Sequence, residues 1–252
     1  MDPYAWSLNS EALVVVPGLA GGYALGVHRT AAPPWRIVCF GTGLVLLLAV
    51  SMTPIHTLGL ERLLTMHLLQ NVVLAEWAPL LLVLGLPPAL AAAVAGVPGM
   101  RTLTHPLVSL PLWLGNYFLW HVPWIYDGAL ERPHSLLHLE HVCYLVTGIL
   151  LWWPVFQDAP RRLNTGLRAG YVFAAFVLGS PLGLLIGLVP DPIYDFYERA
   201  PRTWGLSALE DQQIAGLSMA TEQAAVFFAI FTVFFLRFLA EQETAEAELP
   251  ER

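Results

Sequence analysis

The chain contains no lysine, and all twelve of its cations are arginine. It has no basic cluster of the kind that follows a phosphate backbone, which sets nucleic acid aside as a partner. Charge of either sign is scarce, at 12% of residues, where a soluble domain carries about a quarter. Cysteine is scarce too: Cys39 and Cys143 are the only two. Both lie in apolar runs and read as small packing residues, which excludes a disulfide framework. The opening MDPYAWSLNS lacks a positive n-region, so no cleaved signal peptide is expected. Nucleophile motifs and phosphate loops are missing as well, and the chain does not read as an enzyme.

What is present is apolar. Hydrophobic residues make up 56% of the 252, gathered into long runs rather than scattered as in a globular core. Seven runs are near the length of about 20 residues that crosses hydrocarbon: 11–27, 37–54, 63–85, 104–126, 136–157, 164–189 and 212–239. The fold class expected is therefore all-α, an integral membrane bundle of seven transmembrane helices. Prolines inside the runs (Pro79, Pro111, Pro181) predict kinks, and PPALAAAVAGVPG predicts a short helix between the third and fourth spans. With the N-terminus outside, the inner segments hold most of the arginines, including Arg161, Arg162 and Arg168. That excess favours an N-out, C-in orientation. One domain, residues 1–240, fills the membrane, and 241–252 reads as an acidic, disordered cytoplasmic tail.

Histidines gather at one edge of this bundle. HSLLHLEH at 134–141 precedes an apolar span. His67 falls about one turn below the outer end of span three, His121 about one turn before the outer end of span four, and His138 and His141 open span five. His56 and His134 fall in outer loops. A single histidine near a helix end is commonly an interfacial or hydrogen-bonded group. Four at one depth on three helices instead suggest a site, because ionisable groups inside a membrane are costly and tend to be functional. Neutral imidazole is a common ligand for copper, zinc and iron, and thioethers such as Met219 would suit Cu(I). Deeper in the membrane lie Glu76 and Glu222. Neither can stay charged and unpaired there, so each is protonated, paired with the other, or hydrogen-bonded, with Gln223 and Trp77 as candidate partners.

The stretches MHLLQNVVLAEWAPLLLVLGLP, WHVPWIYDGAL, the histidine run with GILLWWPV, DPIYDFYERA and DQQIAGLSM together resemble the polytopic CtaG family of cytochrome c oxidase assembly proteins, over roughly residues 60–220. The resemblance implies a multi-pass protein of the bacterial plasma membrane that matures a haem–copper oxidase at its copper centres, with oxidase subunits and the lipid bilayer as partners. His67 and Gln70, then Trp120, His121 and Pro123, then Glu140 and His141, and finally Asp211, Gln212, Gly216 and Met219 match the family's motifs. Three positions depart from the pattern. Asn71 stands where a second third-span histidine is usual, Ala220 where tryptophan is usual, and His138 lies three residues ahead of His141, with Leu137 in the expected place. An amide is a poor copper ligand, so ligation by two histidines of the third span is not expected here.

The leading expectation is an assembly factor that binds or guards copper at His67, His121, His138 and His141, with Gln70, Asn71, Asp211 and Met219 as further candidates. A second class is a proton- or metal-conducting transporter using Glu76 and Glu222. A third is a haem-binding membrane protein with histidine axial ligands.

Overall fold

The structure, a computed structural model, describes residues 2–247. Every regular element among these residues is a helix, and no strand is present among them. α1 (Ser10–Thr30) and α2 (Pro34–Met52) form an antiparallel pair, and the short α3 (Pro54–Glu61) leads into the central helix. That helix runs unbroken as α4 (Leu64–Val72), a π-helical turn (Val73–Trp77) and α5 (Ala78–Gly85). Two short helices, α6 (Pro88–Ala95) and α7 (Met100–Leu103), connect to α8 (Pro106–Trp120) and α9 (Pro123–Leu130). α10 (Leu136–Phe156), α11 (Thr165–Leu188), the short α12 (Asp195–Arg199) and the long α13 (Ala208–Ala247) complete the chain. Proline opens α2, α3, α6, α8 and α9, where its missing N–H is not needed and its fixed φ suits the first turn.

Among the described residues six helices are long and apolar enough to cross a membrane: α1, α2, Leu64–Gly85, α10, α11 and α13. Large apolar side chains such as Leu13, Val14, Leu25, Val38, Val45 and Leu236 face outward, as a lipid-facing surface requires. The central helix is the axis of the bundle: 72% of its spanning window is buried, against 11% for α1 and 17% for α13.

The fourth expected span, 104–126, is broken. α8 is 15 residues long, or about 22 Å, and stops at His121. Pro123 is the reason. It lacks an N–H to continue the ladder and pushes Val122 into extended geometry (φ −64°, ψ 123°). His121 is left as the C-terminal cap of α8, its ring at a helix end rather than within a turn. His56, expected in a loop, lies on α3 and is buried. At the far end α13 continues through 241–247 as helix, the first part of the stretch expected as a disordered tail, while 248–252 lie outside the described residues.

The kink expected at Pro79 takes the form of the π turn just before it. Proline cannot donate to the carbonyl one turn back, and a widened turn absorbs the loss. α10 closes against this turn so tightly that a Cβ on Gly148 would stand 2.2 Å from the Ala75 carbonyl oxygen. Trp152 Nε1–H donates to the Glu76 carbonyl at 2.9 Å. α11 and α13 form the most extensive helix pair through glycine, since a Cβ on Gly216 would lie 2.3 Å from the Gly187 nitrogen. Small residues of this kind let membrane helices approach closely.

Candidate functional site

Three imidazoles from three elements are buried at one end of the bundle. His67 on α4 is 0% exposed, His141 on α10 is 2% and His121 at the end of α8 is 5%. The His67 and His141 ring centroids are 6.5 Å apart, and Tyr126 on α9 stands 5.1 Å from His67 and 5.8 Å from His121. His67 and His141 therefore face each other, and His121 reaches the group through a phenol.

The hydrogen-bond partners assign the tautomers. His121 Nδ1 lies 2.8 Å from the Tyr117 carbonyl oxygen, a pure acceptor, so Nδ1 carries the proton. His141 Nδ1 lies 3.1 Å from the Glu11 carboxylate, with the same consequence. His67 Nδ1 lies 2.9 Å from the Tyr197 hydroxyl and 3.1 Å from the Tyr126 hydroxyl; because Tyr197 spends its own proton on the Gly59 carbonyl at 2.5 Å, it accepts from His67 Nδ1–H. Burial pushes the Tyr197 phenol's pKa up, which keeps that proton in place. All three rings are thus held as the Nδ1–H tautomer, and all three Nε2 atoms are buried with no partner among the described residues. Two oxygens beside them share that condition. Asn71 Nδ2 donates to Glu140 Oε1 at 2.9 Å, leaving Asn71 Oδ1 and Glu140 Oε2 buried without partners.

His56 is a fourth histidine of the group, 6.4 Å from His141 by ring centroid, but both of its nitrogens are occupied. Asn9 Oδ1 caps α1 by accepting from Glu11 N at 2.9 Å and Ala12 N at 3.3 Å. Its Nδ2 must then donate to His56 Nε2, at 3.3 Å. His56 Nδ1–H is left to donate to Gln70 Oε1, at 3.5 Å. Burial above all, then the neighbouring His141, lowers the His56 pKa to about 4. Gln70 therefore holds a structural imidazole. His138 is half-buried on the flank, its ring 6.3 Å from that of His134.

Asp211 works at the same end but differently. Its carboxylate accepts from Leu64 N at 2.6 Å, Thr65 N at 3.1 Å and the Thr65 hydroxyl at 2.6 Å, capping α4 from another helix. Gln212 pins the loop before α12 by accepting from Ile193 N at 2.7 Å and donating to the Asp191 carbonyl at 3.1 Å. Met219 is buried and lines a cleft of about 250 Å³ between α4 and α13 together with Trp77 and Glu222.

At mid-depth Glu76, fully buried on the π turn, accepts from Gln223 Nε2 at 2.8 Å, and the same amide donates to the Tyr117 hydroxyl at 3.0 Å. Trp77 Nε1–H donates to Glu222. Both expected partners are thus used, and Glu76 Oε2 and Glu222 Oε2 have none.

Glu11, Tyr126, Tyr197 and the buried His56 were not singled out in the sequence. Only tertiary packing joins α1, α3, α9 and α12 to the histidines, and a lone Glu at the start of a helix reads first as a dipole partner. Among the described residues no three His, Cys, Asp or Glu side chains already stand as a group able to hold a metal ion.

No solved structure matches the chain. An uncharacterized protein of Mycobacterium leprae is 28% identical over 240 residues, covering 84% of this chain and 36% of its own length. Uncharacterized proteins of Mycobacterium bovis and Mycobacterium tuberculosis are each 25% identical over 232 residues, covering 83% of this chain and 35% of theirs. The chain thus spans about a third of the length of the curated relatives it matches. The family model described as cytochrome c oxidase caa3 assembly factor (Caa3_CtaG) matches residues 21–241, most of the bundle and every buried histidine in it, and the chain belongs to that family.

Proposed function

We propose that the chain is an assembly factor for a haem–copper cytochrome c oxidase of the bacterial plasma membrane, and that it holds copper between His67, His141 and His121. In this reading α8 with α9 supplies the seventh crossing, the N-terminus faces outward, and the pocket opens toward the outer leaflet. The observation that carries the reading is the shared tautomer: three buried imidazoles, each with its Nδ1–H engaged and its Nε2 lone pair bare. A buried acceptor without a partner costs about 1–3 kcal/mol, and three at one end of the bundle favour a ligand that takes lone pairs.

The donor set fits copper in its chemistry. Imidazole nitrogen suits the metal, and the Glu11–His141 pair is the carboxylate–histidine arrangement that orients a ligand ring and raises its basicity. A metal about 2 Å from each nitrogen places ligand rings about 5–6 Å apart, so His67 and His141 need to close by about 1 Å and His121 by more. Copper bound there would be kept from side reactions until an oxidase subunit receives it. The protein's own part is to fix the tautomers and exclude water.

Copper content after anaerobic purification and Cu(I) loading tests the reading. About one copper per chain is expected, with loss in His141→Ala and His121→Ala. Equal retention in wild type and both variants would remove copper from the proposal and leave the assembly role to the family alone. A second reading, a proton- or metal-conducting transporter, rests on the mid-membrane carboxyl of Glu76 and its chain through Gln223 to Tyr117. Proton or metal flux in liposomes, abolished by Glu76→Gln, is the result that would favour it.

A further inference from the structure

The end of the bundle opposite the histidines carries a second built feature. α10 is 21 residues long, so about 30 Å separates the pocket near its start from the chain beyond its end. There a basin of about 610 Å³ is lined by Arg162, Arg168 and Arg237, with Asp158 and Glu241 among its walls. The two carboxylates are engaged: Asp158 with Arg168 and, at 3.9 Å, Arg162, and Glu241 with the Thr165 hydroxyl. Arg168 is also spent on the fold, donating to the Val155 carbonyl at 3.0 Å and the Leu163 carbonyl at 3.1 Å. Arg237 lies over the Phe234 ring at 6.0 Å and forms no ion pair among the described residues. Its guanidinium and the outward side of Arg162 are left for a ligand.

Two apolar grooves leave this basin on either side of α13. One, of about 480 Å³, shares Asn164 with the basin and is walled by Phe173, Phe231 and Phe235. The other, of about 510 Å³, shares Arg168, Phe234 and Arg237 with it and is walled by Leu84, Ile230 and Val233. We propose that this basin and its two grooves bind one anionic phospholipid, with the phosphate between Arg162 and Arg237 and one acyl chain in each groove. Guanidinium pairs phosphate oxygens with directed N–H groups. Basic pockets between membrane helices are suited to acidic headgroups. The grooves decide the source of the phosphate, because a free anion has no use for two phenylalanine- and leucine-lined slots converging on its site.

Lipid extraction and native mass spectrometry of the full chain in mild detergent test this, with phosphatidylglycerol, phosphatidylcholine and inorganic phosphate added back. About one phosphatidylglycerol per chain should be retained, and it alone should raise the melting temperature by several degrees. The double variant Arg162→Gln, Arg237→Gln should lose retention about fivefold or more. Gly170→Trp should do the same from the other side: Gly170 lines the first groove, and a Cβ there meets nothing within 4 Å, so the indole fills the slot without disturbing the helix. Equal binding of phosphatidylcholine, an equal shift from inorganic phosphate, or unchanged retention in Gly170→Trp would overturn the assignment.

Discussion

Asp211 and His141 lie in two of the most recognisable motifs of the chain, at the same end of the bundle, and each is 2% exposed. Asp211 has both carboxylate oxygens engaged, by Leu64 N and by Thr65. His141 is held by Glu11 through one nitrogen and leaves the other bare. Burial and motif membership are the same, so under the proposed function it is hydrogen-bond saturation that separates the two. A saturated buried group belongs to the fold, and a half-saturated one is available to a ligand. The same test sorts His56, which is saturated, from His67 and His121, which are not.

The largest effect should come from the saturated side. Asp211→Ala removes the acceptor of two buried backbone N–H groups and a hydroxyl at the start of the central helix. Each lost bond to a charged acceptor is worth about 1.5–3 kcal/mol, and the helix start also loses its favourable charge. Little folded protein should reach the membrane, as read by yield and size-exclusion profile in detergent. A well-folded Asp211→Ala with impaired copper retention would break the comparison, since it would make the cap a functional group.

On the unsaturated side the effects should fall on the ligand more than on folding. His141→Ala should abolish copper retention in a chain that still folds, at a melting temperature lowered by the loss of the Glu11 hydrogen bond and of a buried ring. Glu11→Ala should weaken copper binding by about 10–100-fold, the usual consequence of removing a carboxylate behind a ligand imidazole. Unchanged affinity in Glu11→Ala, measured by competition with a Cu(I) chelator, would show that the ion pair only locks α1 onto α10.

The mid-membrane carboxyls should be milder. Glu222→Gln keeps the acceptor for Trp77 Nε1–H, and an amide in place of a hydrogen-bonded acid costs at most about 1 kcal/mol between membrane helices. Oxidase maturation at wild-type level is expected. Its loss at unchanged protein level would show that ionisation matters and would bring Glu222 into the working half of the molecule.

Much of this was open to reading in the sequence. Run length places six of the spanning helices, and Pro79 foretells the irregularity in the central helix. Constant helical rise brings His67, His121 and His141 to one end, and it carries no information where the chain leaves regular helix. Treating 104–126 as one span overlooked what Pro123 does to Val122, and treating His56 as a loop residue overlooked an eight-residue helix too short to show a period. Saturation could not be read at all. Whether Asp211 caps a helix or binds a metal depends on Leu64, some 147 residues away in sequence, and no local pattern encodes that contact.

The smallest expected effect is one of pH, and it tests the saturated histidine. His56 has its pKa lowered to about 4 in the folded protein, by burial first and His141 second, against about 6.5 in the unfolded chain. The unfolded state therefore binds more protons throughout the interval between those values. The contribution of neutral His56 is complete above about pH 6.5 and is lost as pH falls toward 4. A modest decline in melting temperature is expected over that window, and His56→Gln, which keeps a neutral hydrogen-bonding side chain between Asn9 and Gln70, should make it shallower, the other buried imidazoles keeping their share. The same substitution should leave copper affinity near wild type at pH 7, because His56 has no free lone pair to offer a metal. A His56→Gln protein that keeps the pH slope but loses copper would reverse the assignment, placing His56 among the ligands and making hydrogen-bond saturation an unsafe guide to role in this pocket.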